Sequence, residues 1–178
     1  MLEAVEVAIQ ATESVKQSGP VVAALQTIDN AIPIVTAVTM FYALFKFKDQ
    51  KVNSILICLA LVTIMQATCA YIRDPLKALG IREAWFTVWV VLNFVMAVGI
   101  KRVHRSFNVP FDRMAKTIMQ AYVVFIFIQS IKYWEMTFTS GVFVEGWYNA
   151  IIPAINISIV VLLIVNTIKK DVKLGVPV

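Results

Sequence analysis

The sequence predicts an all-α membrane protein, a bundle of five transmembrane helices preceded by an amphipathic helix. Three observations carry this. First, the 178 residues are 60% hydrophobic and 15% charged, with a mean hydropathy of +0.78. A soluble domain holds about half apolar and a quarter charged residues, and one this small has too little interior to hide the excess. Second, several apolar runs approach the roughly 20 residues that a helix needs to cross a bilayer core about 30 Å thick. Third, cations and tryptophans gather at the ends of those runs, where water and headgroups begin.

Residues 1–19 form the expected amphipathic helix. Glu3, Glu6, Gln10, Glu13 and Gln17 recur at steps of three and four, which places them in one stripe. Leu2, Val5, Ile9 and Val15 spread over the other face. Its acidic stripe suits packing on the bundle or on a partner better than anionic headgroups, which attract basic faces. It lacks the basic start of a signal peptide.

Residues 20–178 form one bundle, with spans at about 25–45, 54–72, 84–100, 117–134 and 150–168. The first is the least regular, because it holds Asp29, Asn30 and Pro33. A charge at the bilayer centre costs roughly 3 kcal/mol and less near an interface. Asp29 is therefore expected in the outer part of the span. Asn30 is expected to cap a fresh helix with Pro33 in its first turn. If that run is re-entrant, four spans remain. A faint echo links Asn30-Ala31-Ile32-Pro33 to Asn149-Ala150-Ile151-Ile152-Pro153, two stretches that open parallel runs.

With the N-terminus outside, eleven of the sixteen cations lie on the inner side. Lys and Arg mark the cytoplasmic side, so the sequence predicts N-out, C-in topology in an inner or plasma membrane. Trp85, Trp89, Trp134 and Trp147 all fall near outer span ends, where indole rings favour the headgroup level.

Polar groups inside the spans are the candidate functional residues. Asn30, Gln66, Asn93, Gln120, Gln129 and Asn156 are expected to bond across helices, or to line a path for an ion or small solute. Asp29 and Lys132 are the charges inside the apolar layer. They could pair with each other, or Lys132 could meet Glu135 one turn away. Lys101, Arg102, Arg105, Arg113 and Lys116, mixed with Phe107 and Phe111, are candidates for gripping anionic headgroups. Nucleic acid is not an expected partner, because topology explains the basic charge. His104, among these cations, is expected to be solvated. Cys58 and Cys69 are eleven residues apart on one helix, about 16 Å of rise, which excludes a disulfide between them.

No nucleophile elbow, zinc-protease motif, phosphate loop or nucleotide fingerprint is present, and no cofactor or metal site is expected. The sequence therefore favours a non-enzymatic membrane-embedded subunit, anchor or assembly factor. Such a protein acts through helix packing, with the bilayer and other membrane subunits or further copies as partners. A small channel, holin-like pore or transporter using the intramembrane amides is the alternative. A lipid-modifying enzyme ranks third, because Asp74, Glu83 and Glu135 make only a thin outer set of acids.

Overall fold

The computed structural model describes residues 19–48, 52–138 and 145–173. The acidic N-terminal stripe lies outside them. Five helices fill the described chain: α1 (Pro20–Lys46), α2 (Ser54–Leu79), α3 (Arg82–Ser106), α4 (Arg113–Phe138) and α5 (Glu145–Lys173). Each is long and apolar enough to cross a membrane. The protein is a multi-pass helical bundle.

The helices outrun the apolar stretches by one or two turns, because backbone hydrogen bonding continues where hydropathy has already fallen. Thus α2 extends through Arg73 and Lys77, and α3 through Lys101, Arg102 and Arg105.

The first run corrects the expected break. Pro20 opens α1 at its first position, where a missing N–H costs nothing, and the helix continues unbroken through Asn30 and Pro33. Asn30 is no cap and the run is not re-entrant. Pro33 withdraws the donor that the Asp29 carbonyl would receive. The Thr36 hydroxyl donates to the carbonyls of Ile32 and Pro33, both at 3.0 Å. The single hydroxyl proton is shared between these two carbonyls, a local side-chain contact of the kind that accompanies a proline inside a membrane helix.

Short connectors join α2 to α3 and α3 to α4. Gly80 ends α2 at φ +63°, with its N–H on the Lys77 carbonyl at 3.1 Å, and α3 begins two residues later. A left-handed residue with a Cβ costs roughly 1–2 kcal/mol more, and a Cβ on Gly80 would meet no atom within 4 Å. The cost of replacing it therefore lies in the backbone. α3 ends in a Schellman turn. Asn108 sits at φ +52°, its N–H reaches the Arg105 carbonyl at 3.1 Å, and the Val109 N–H reaches the His104 carbonyl at 2.9 Å. Asp112 then caps α4, accepting from the Ala115 N–H at 2.8 Å.

α2 packs against all four other helices; α3 lies most fully on α4, and α1 on α5. One end of the bundle carries Lys46, Lys48, Lys101, Arg102, Arg105, Arg113, Lys116 and Lys169, and is called the basic end. The dry core fills that half. Ile55, Leu59 and Val62 of α2 meet Ile100, Ile118 and Leu163 there, with Ala43 and Phe47 closing α1 against them.

Candidate functional site

The opposite half is not filled. A cavity of about 460 Å³ opens there, lined by all five helices. Each contributes residues at steps of three or four, which is the spacing of one helix face. α2 supplies Lys77, Arg73, Cys69, Gln66 and Met65, running inward. α3 supplies Trp85, Trp89 and Asn93. α5 supplies Tyr148 and Asn149, then Ile152 and Pro153, then Asn156. Gln26, Asp29 and Asn30 come from α1, and Gln129, Phe125 and Tyr122 from α4. At about 1.5 Å per residue the α3 row spans about 12 Å and the α2 row about 18 Å. Beyond Met65, Phe125 and Tyr122, which belong to the dry core, the cavity stops.

Six of the eight intramembrane candidates meet here, at least one from each helix: Asp29, Asn30, Gln66, Asn93, Gln129 and Asn156. Three pairs tie neighbouring helices. The Asn156 amide donates to the Asp29 carboxylate at 2.9 Å, joining α5 to α1. The Arg73 guanidinium donates to the Asn30 side-chain oxygen at 3.3 Å, joining α2 to α1. The Tyr148 hydroxyl donates to the Gln129 oxygen at 2.8 Å, joining α5 to α4. Asn93 instead turns its amide to the Trp89 carbonyl of its own helix, at 2.8 Å. The amides therefore act partly as glue, while the cavity keeps the remaining polar capacity.

The other two candidates lie elsewhere. Gln120 is on the exposed face of α4. Lys132 does not meet Asp29. It sits at the end of the buried stripe of α4 and pairs with Glu135 at 3.3 Å, both side chains nearly fully buried. Lys101, Arg102, Arg105, Arg113 and Lys116 are all exposed at the basic end, on the last turns of α3 and the first of α4.

His104 reverses its expectation. It is 1% exposed and on α3, not in a solvated loop. Its Nδ1 lies 2.7 Å from the Ile100 carbonyl and its Nε2 2.9 Å from the Ser54 hydroxyl. A carbonyl only accepts, so Nδ1 carries a proton toward Ile100, while Nε2 shares a hydrogen bond with the Ser54 hydroxyl. Phe111 stacks edge-on at 5.5 Å. This contact latches α2 to α3 at the basic end.

Sequence reasoning passed over Gln26, Arg73, Tyr148 and Asn149 as lining residues, and took Trp85 and Trp89 as interface markers. The two echo stretches lie on the paired helices α1 and α5; Asn30 of the first and Asn149, Ile152 and Pro153 of the second line the cavity. No group of three metal-ligating side chains gathers among the described residues. Comparison with protein families, with curated proteins and with solved structures finds no match, so the functional reading rests on this geometry.

Proposed function

We propose that this protein binds a small polar solute in the five-helix cavity and carries it across the membrane, without chemical conversion. The observation that supports this is the convergence of polar side chains from every helix on one half-depth cavity. Scattered amides would serve packing alone. Lining a space large enough for a ligand, they give it both donors and acceptors. The dry core under Tyr122 argues against an open pore and for a carrier open on one side. Pro33 and Pro153 each remove a helix hydrogen bond near cavity depth, in the paired helices α1 and α5. These are the points where the walls would bend to pass a solute onward.

By the distribution of cations, the cavity faces outward from an inner or plasma membrane, and the basic end faces the cytoplasm. There Lys101, Arg102, Arg105, Arg113 and Lys116 would meet anionic headgroups. The subunit or anchor reading draws on a different surface. Ile34, Val38, Phe41 and Phe45 form an exposed apolar row on α1. Lipid tails satisfy such a row as well as a partner helix does, so the cavity discriminates between the readings and favours transport.

The test is solute entry into proteoliposomes holding the purified chain, read by light scattering. Neutral amino acids, urea, glycerol and potassium chloride serve as probes. Entry of at least one probe above empty liposomes supports the proposal. No entry of any probe favours the subunit reading.

A further inference from the structure

We infer that the cavity takes a small zwitterion, a molecule with an ammonium and a carboxylate on one short frame, such as a free α-amino acid. The inference rests on the solute-binding reading and names its ligand class.

The warrant is a pair of opposite charges kept apart. Asp29 and Arg73 line the same cavity and lie within electrostatic reach of each other. Asp29 lies inside the apolar span and Arg73 just past the outer end of its own, and opposite charges so placed commonly pair directly. These two do not. Each is held by a neutral amide instead, Asp29 by Asn156 and Arg73 by Asn30. Neither amide exhausts its partner. A carboxylate accepts about four hydrogen bonds and a guanidinium donates five. The cavity therefore presents an unfilled acceptor and an unfilled donor fork of opposite sign.

A zwitterion satisfies both at once, its ammonium on Asp29 and its carboxylate on Arg73. Lys77 lies one turn further out on the same face of α2 and adds to the pull on a carboxylate. Simpler ions fit worse. A free cation meets two positive side chains for one negative, and a free anion meets Asp29. Trp85 and Trp89, edge-on at 5.4 Å, offer apolar ring surface for the rest of the molecule.

The test uses the full chain in nanodiscs, with tryptophan fluorescence and thermal shift as readouts, since two indoles line the cavity. Three probe sets are titrated: the neutral L-α-amino acids, their C-terminal amides (cationic) and their N-acetyl derivatives (anionic). At least one amino acid is expected to bind about tenfold or more tightly than both of its own derivatives, a gap of about 1.4 kcal/mol. Asp29→Asn should close the gap to the N-acetyl form, and Arg73→Gln the gap to the amide. If Arg73→Gln does not fold, Arg73→Lys replaces it. That variant should weaken binding while keeping the preference, because charge stays and the fork goes. An amide or N-acetyl form binding as tightly as every amino acid overturns the inference. So does silence from all amino acids while proteoliposomes admit another probe, and then the carrier reading stands. Silence from all three sets with no solute entry overturns both.

Discussion

The Asp29 carboxylate of α1 accepts the Asn156 amide of α5 at 2.9 Å, across two helices that start 125 residues apart in the chain. This bond sets the α1–α5 wall of the cavity. Asp29→Ala combined with Asn156→Leu should show a coupling of about 0.6–1.7 kcal/mol, the range of interhelical hydrogen bonds in membranes. Asp29→Asn combined with Lys132→Met should instead add within about 0.5 kcal/mol, because the two residues share no contact. Reversible unfolding in mixed micelles measures both cycles.

Lys132 and Glu135 form a buried pair one turn apart on α4. Removing either side chain breaks this pair. Lys132→Met and Glu135→Gln should show a coupling of about 0.5–3 kcal/mol in a double-mutant cycle, because the two side chains are in direct contact. Thermal unfolding of the three variants decides this.

The two free cysteines report on the two halves of the bundle. Cys69 lines the cavity and Cys58 is fully buried in the dry core. A charged, membrane-impermeant thiosulfonate should modify Cys69 in the Cys58→Ser variant at least about tenfold faster than Cys58 in the Cys69→Ser variant, because access sets the rate. Equal rates would mean that the cavity excludes water.

The Ser54 hydroxyl and a buried ring nitrogen of His104 share a hydrogen bond at 2.9 Å. Ser54→Ala leaves that buried nitrogen without the serine hydroxyl and should cost about 1–3 kcal/mol. His104→Phe keeps the ring volume and should cost less than His104→Ala, which also opens a void. Unfolding midpoints of the three variants, each against the parent chain, give the order.

The spans were legible because a bilayer reads only length and apolarity, and the polar residues inside them stood out for the same reason. Their convergence was not legible, since it depends on which helices neighbour each other. Arg73 and Trp89 looked like boundary markers because linear position shows depth and hides facing. The i, i+4 row Cys69, Arg73, Lys77 carried the missing signal. His104 was misread from its cationic neighbours. Its helix period told more, for Phe86, Trp89, Asn93, Met96, Ile100 and His104 follow at steps of three and four and are all buried. Asn30 and Pro33 suggested a break, yet the helix runs through both, because a proline costs one backbone hydrogen bond and the apolar stretch on either side continues.

Solute entry into proteoliposomes, compared between the parent chain and Asn156→Leu, Gln66→Leu and Gln120→Leu, tests the central claim most directly. The account predicts entry above empty liposomes. It predicts a fall of about tenfold or more for Asn156→Leu and Gln66→Leu, which line the cavity, and no change for Gln120→Leu on the exposed face of α4. Entry that all three variants leave unchanged, or no entry at all, would contradict it.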